Sequence, residues 1–118
     1  SIAFQERGNI EEVGSQYKKI IDMYNRNRHM VAEFLLQYIN TIKNYIDICI
    51  NTKNFDEIPE LINNLEAIKI NNNASLKLQI QYYIYSSLFI YYLNTSKFQQ
   101  AIDIVFPLES LLNNPNIS

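Results

Sequence analysis

An all-α fold built from antiparallel helical hairpins is predicted by three observations. A hydrophobic quartet spaced 3, 4, 3 occurs three times: Ile10, Val13, Tyr17 and Ile20; Phe55, Ile58, Ile62 and Leu65; Phe98, Ala101, Val105 and Leu108. The copies lie 45 and then 43 residues apart, each on one stripe of a helix, which marks a stacked repeat rather than a single closed core. A second pattern recurs in step, because Ile42, Tyr45, Ile46 and Cys49 reappear 43 residues later as Tyr85, Leu88, Phe89 and Tyr92. Finally, apolar residues make up 47% of the chain and only 2 residues are glycine, which disfavours both disorder and a turn-rich β architecture. At 118 residues the chain is expected to be one helical-repeat domain, residues 1–118, cut from a longer repeat protein.

Five helices follow in order. The first opens at Asn9, with Glu12 three residues on in the position of a capping box, and runs to about residue 24. Residues 1–6 read as the tail of a preceding helix. Asn25, Arg26, Asn27 and Arg28 have nothing apolar to bury and form a loop. Apolar positions from Val31 to Cys49 then recur every three or four residues, giving one long helix over residues 29–50. Asn51, Thr52 and Lys53 break it. The third helix covers residues 55–70, with Pro59 in its first turn, where a missing N–H is tolerated or the helix is irregular. Three asparagines, 71–73, stop that helix, and residues 74–93 form the fourth. The fifth starts at Phe98 after a turn, residues 94–97, that matches residues 51–54; Pro107 inside it predicts a kink or break. The turns at 51–54 and 94–97 are expected to close hairpins, and residues 25–28 and 71–75 to connect them. Phe55, Ile62, Phe89 and Phe98 are expected in the core.

Charge and composition narrow the function. Ten basic residues against 12 acidic ones give a net charge of −2 with no basic stripe, so no nucleic acid is expected on this segment. One cysteine forms no internal disulfide and no signal peptide opens the chain, which favours a cytoplasmic setting. Residues 78–96 carry no charge over 19 positions, near the length of a membrane span, but Gln79, Gln81, Ser86 and Ser87 lie among them. The counterpart helix 43 residues earlier is charged, so no membrane insertion is expected. The three glycosylation-like triplets at Asn73, Asn94 and Asn116 are what chance supplies in an asparagine-rich chain.

No nucleophile paired with a base, metal-ligand cluster or phosphate-cradling glycine loop is present, so neither catalysis nor a cofactor is expected. His29 at a helix start reads as a surface or capping residue, and Cys49 on an apolar stripe as a buried inert thiol. Asp56, Glu57 and Glu60, like Glu11 and Glu12, sit where a helix dipole favours carboxylates.

Gly8-Asn9-Ile10-Glu11-Glu12-Val13, Lys53-Asn54-Phe55-Asp56-Glu57-Ile58 and Ser96-Lys97-Phe98-Gln99-Gln100-Ala101 resemble the turn and second-helix start of the tetratricopeptide repeat (TPR). Where that family keeps small residues this chain has Ala101 but also Val13, Ile58, Ile46 and Phe89, and its period of 43 exceeds the family's usual value of about 34. Armadillo and HEAT units, at about 40 to 47 residues, are the alternative. The resemblance implies a short right-handed TPR-like solenoid acting as a scaffold for a protein or peptide, bound on the face of each unit's first helix. In one unit that face carries Asn40, Lys43, Asn44, Asp47 and Asn51, and in the next Tyr83, Ser86, Ser87, Ile90 and Asn94. A second reading is a sensory or regulatory domain of a larger signalling or transcription-regulating protein, and a third the helical part of an enzyme whose site lies elsewhere. Only Lys97, Asp103 and Glu109 are charged between residues 78 and 118, which predicts homo-oligomerisation or partner binding through Tyr83, Ile90 and Leu93, with Tyr91 as a second edge.

Overall fold

The computed structural model describes residues 2–115, with side chains from residue 8 onward, and every regular element among them is helical. The Asn116 triplet lies outside the described residues. Helix α1 spans Ile2–Arg26, α2 Arg28–Glu33, α3 Leu35–Asn51, α4 Ile58–Glu66, α5 Ala74–Asn94 and α6 Phe98–Leu112, with a 3-10 turn at Phe55–Glu57 leading into α4. The chain divides into two compact units, Ser1–Asn54 and Phe55–Ser118.

In the first unit α1 and α3 pack antiparallel. Tyr24 meets Tyr38 edge to face at 5.2 Å, while further back on α1 Gly14 lies against Tyr45 and Ile48, so position rises along one helix as it falls along the other. Gly14 marks the closest approach, since a Cβ there would stand 3.0 Å from Ile48 Cγ2. Gly14→Leu is therefore expected to destabilise this unit by about 1–3 kcal/mol through overpacking, read from a urea unfolding curve. The core is Tyr38, Ile42, Ile46 and Cys49 of α3, none more than 2% exposed, closed by Ile21 and Tyr24 of α1 and Val31 of α2.

The second unit stacks α4 on α5 and α5 on α6. Ile58, Leu61, Ile62 and Leu65 of α4 are buried, with Ile80, Ile84 and Ser87 of α5 and Ala101 and Leu111 of α6. Asn73 caps α5, its Oδ1 accepting from the Leu76 N–H at 3.0 Å. The preceding Asn72 takes a left-handed φ of 62° to turn the chain into that cap.

The 43-residue recurrence is present in the backbone. After α3, Lys53 adopts φ 59° and the Asn54 N–H reaches back to the Cys49 carbonyl at 2.7 Å; after α5, Ser96 adopts φ 60° and the Lys97 N–H reaches Tyr92 at 2.8 Å. Thr52 and Thr95 each donate a hydroxyl to the carbonyl four residues earlier, at 2.8 Å. Both are the same left-handed helix stop, held with a side-chain residue where glycine has no steric penalty. Ser96→Gly should accordingly raise stability by roughly 0.5–1 kcal/mol, seen as a higher thermal midpoint.

The structure corrects several sequence expectations. Helix α1 begins by Ile2 rather than at Asn9, because Gly8 and Asn9 inside a helix each cost only about 1 kcal/mol or less. The single long helix over 29–50 is two, parted where Phe34 turns to φ −120°, ψ 49°. Hydrogen bonds from Phe34 to Met30 and from Tyr38 to Phe34 carry across the break, so the apolar period is not disturbed by it. Helix α4 stops at Glu66, short of residue 70, and opens through the 3-10 turn with Pro59 in its first turn. Pro107 does not interrupt α6; the hydrogen bond it forgoes falls on the carbonyl of exposed Asp103, within reach of water.

The buried stripe differs from the expected one on α1 and α6 and agrees with it on α4. There Ile58, Ile62 and Leu65 of the expected quartet are buried, with Leu61 beside them, and Phe55 is half-buried. The covered residues are Gly14, Tyr17, Ile21 and Tyr24 on α1 and Ala101, Ile104, Leu108 and Leu111 on α6, which keep the 3, 4, 3 spacing but start later than the quartets chosen from sequence. Of those two quartets, Ile10, Val13 and Ile20 and Phe98 and Val105 are exposed. Phe98, expected in the core, is 57% exposed; Ile62 is buried, and Phe55 and Phe89 are half-buried. Phe98→Ala should then cost less than about 1 kcal/mol, against the 3–5 kcal/mol typical of a buried phenylalanine, a difference readable in the thermal midpoint.

Candidate functional site

The polar residues proposed on α3 fall on one stripe. Asn40, Asn44, Asp47 and Asn51 are exposed and Lys43 is half-buried, as expected for the side of α3 turned from its core. Asn44 stands at the edge of a groove of 350 Å³ between α1 and α3, lined by Ile10, Val13, Tyr17 and Ile48 with Asn9. On α5 the proposed residues are less open. Tyr83, Ser86 and Ile90 are half-buried, Leu93 and Asn94 are exposed, and Ser87 is buried at 8%, so it presents nothing to a partner. The Ser86 hydroxyl donates to the Tyr82 carbonyl at 2.8 Å and the Asn94 amide to that of Ile90 at 2.8 Å, which ties both polar groups to their own helix. The α3 set belongs to the first unit and the α5 set to the second.

The largest exposed apolar surface lies instead on α6. Phe98 is 57% exposed, Ile102 63%, Phe106 77% and Leu112 56%, and Val105 fills the row between them at 37%. Their spacing of four, three, one and six residues puts them on one side of the helix, about a third of a turn from the side packed on α5. Glu109 lies in the middle of this row. A surface of this kind is unusual for a solvated helix. Sequence reading missed it by assigning the fifth helix a single buried stripe. The signal was present, since Ile102, Phe106 and Leu112 fall off that stripe and leave α6 apolar on most of its circumference.

A second concavity, 280 Å³, opens between α4 and α5, with Leu65, Glu66 and Ile68 on one wall and Lys77, Ile80 and Ile84 on the other. Gln81 and Tyr85 also line it, and Glu66 and Lys77 bring one acidic and one basic side chain to it.

The first unit holds a polar cluster at its helix corner. The Tyr38 hydroxyl donates to Asn25 Oδ1 at 2.9 Å, and Arg28 donates to the same oxygen at 3.1 Å. The Asn27 side chain closes the end of α1 by donating to the Met23 carbonyl at 2.8 Å. Burial holds the Tyr38 hydroxyl above the usual phenol value of 10.0, with nearby Arg28 pulling the other way. The neutral phenol is the form the fold favours, so its contribution is complete below pH 10 and is lost as pH rises through the elevated value. Stability of the wild type relative to Tyr38→Phe should hold from pH 7 to about 9 and decline above about 10, followed by urea titration at each pH. The cluster is structural, since it fastens the α1–α2 corner to α3.

Cys49 is buried and His29 exposed, and no three His, Cys, Asp or Glu side chains gather to hold a metal among the described residues. None of the helices among them is long and apolar enough to cross a membrane. Comparison of the chain with protein-family models, with curated proteins and with solved structures finds no match.

Proposed function

We propose that this chain is a non-catalytic helical-repeat segment that binds a protein or peptide, arranged as a short TPR-like solenoid in a cytoplasmic protein. The observation that supports it most is the apolar row on α6, where Phe98, Ile102, Phe106 and Leu112 are all more than half exposed. Repeat units stack by burying such rows against a neighbouring helix, and an uncovered row is a helix-binding surface. The repeated helix stops at Lys53 and Ser96 support the repeat reading on grounds independent of surface exposure.

The test is selection from a displayed library of helical peptides against the full 118-residue chain, with the selected peptides measured by fluorescence anisotropy. A shared sequence pattern, dose-dependent binding, and loss of that binding in Ile102→Glu are expected. Failure of any peptide to enrich, or binding indifferent to every α6 substitution, would overturn the reading.

A further inference from the structure

The cavity of 280 Å³ between α4 and α5 combines an apolar lining with a polar one. Leu65 of α4 and Ile80 and Ile84 of α5 line it and are buried, while Ile68 and Ile70, on the chain leaving α4, line it and are half-buried. Four polar side chains share the lining: Glu66 at the end of α4, and Lys77, Gln81 and Tyr85 on α5. A spacing of four puts those three along one edge of α5, next to Ile80 and Ile84. None of the four side chains makes a hydrogen bond or an ion pair among the described residues. Opposite charges therefore line one cavity without meeting.

We infer that this cavity binds a small zwitterion with an aliphatic side chain, a free α-amino acid of the leucine type. The aliphatic group covers Leu65, Ile80 and Ile84, the ligand's ammonium donates to the Glu66 carboxylate, and its carboxylate accepts from the Lys77 ammonium, with the Gln81 amide as a further donor. The volume, close to the roughly 300 Å³ at which small-ligand pockets begin, holds the ligand to the size of a single metabolite. A purely apolar ligand would leave both charges without a partner. A ligand with one net charge would satisfy one of them and meet its own sign at the other. The site lies apart from the apolar row on α6 and does not depend on it.

The probe is L-leucine, titrated into the isotopically labelled full chain and followed by amide shifts, with isocaproate, which lacks the ammonium, and isoamylamine, which lacks the carboxylate, as comparators. Saturable shifts centred on residues 65–85 are expected, with each comparator weaker than leucine by about tenfold or more. Glu66→Gln should remove the advantage of leucine over isocaproate, and Lys77→Met its advantage over isoamylamine. Both positions are exposed, and circular dichroism checks that each variant folds. Ile102→Glu should leave leucine binding unchanged, so this site and the α6 reading fail separately. No saturable shift by about 10 mM leucine would overturn the inference. Comparators as tight as leucine, or leucine binding indifferent to both substitutions, would overturn it too, by showing an apolar crevice that does not read charge. Leucine shifts lost in Ile102→Glu would place the ligand on α6 and equally overturn it.

Discussion

Tyr38→Ala is expected to produce the largest loss of stability among single changes in the first unit, about 3–5 kcal/mol, in keeping with truncation of a buried aromatic. Tyr38 is fully buried, packs edge to face on Tyr24, and donates the hydrogen bond that fixes Asn25 at the end of α1. Its removal leaves a cavity between α1 and α3 and frees the corner that α2 turns on. Tyr38→Phe separates the two contributions. It keeps the ring contact and Asn25 keeps Arg28 as a donor, so only about 1 kcal/mol should be lost. Urea unfolding of both variants checks the ratio; equal losses would show that the hydroxyl, not the ring, holds the corner.

The second large effect is on binding. Ile102→Glu combined with Phe106→Glu should leave the fold within about 1 kcal/mol of wild type, because both side chains are more than 60% exposed and no core contact is removed. The same double change should weaken binding of a library-selected helical peptide by at least about a hundredfold, since it converts two apolar anchors into buried charges. A protein that lost both fold and binding would place these residues in the core instead. Thermal melts and anisotropy on the same preparations distinguish these outcomes.

Much of the architecture was legible in the sequence because helix periodicity and turn chemistry are local. The starts of α5 and α6 and the matched turns at 51–54 and 94–97 follow directly from Asn73, Phe98 and the Asn-Thr-Lys and Asn-Thr-Ser breaks. The break at Phe34 was not legible. It carries neither Gly nor Pro, and the hydrogen bonds bridging it keep the apolar period in phase. The inward stripe was misread on α1 and α6 because each carries more than one apolar stripe, and periodicity alone does not say which one a neighbour covers. Gly14 illustrates the point: its value lies in having no side chain at the α1–α3 approach, and a hydrophobic pattern search passes over it. The candidate site was legible only in part. Asn40, Asn44, Asp47 and Asn51 do share an exposed stripe on α3, but Ser87 turned inward, Phe98 and Val105 of the α6 row were taken for core, and Ile102, Phe106 and Leu112 were not assigned.

Amide-shift mapping of the isotopically labelled chain, titrated with a library-selected helical peptide, tests the central claim most directly. Helix docking on α6 predicts shifts concentrated at residues 98–112 and strongest around Ile102, Val105, Phe106 and Glu109. Shifts concentrated instead at residues 40–51 or 83–94, or none at all at saturating peptide, would contradict it.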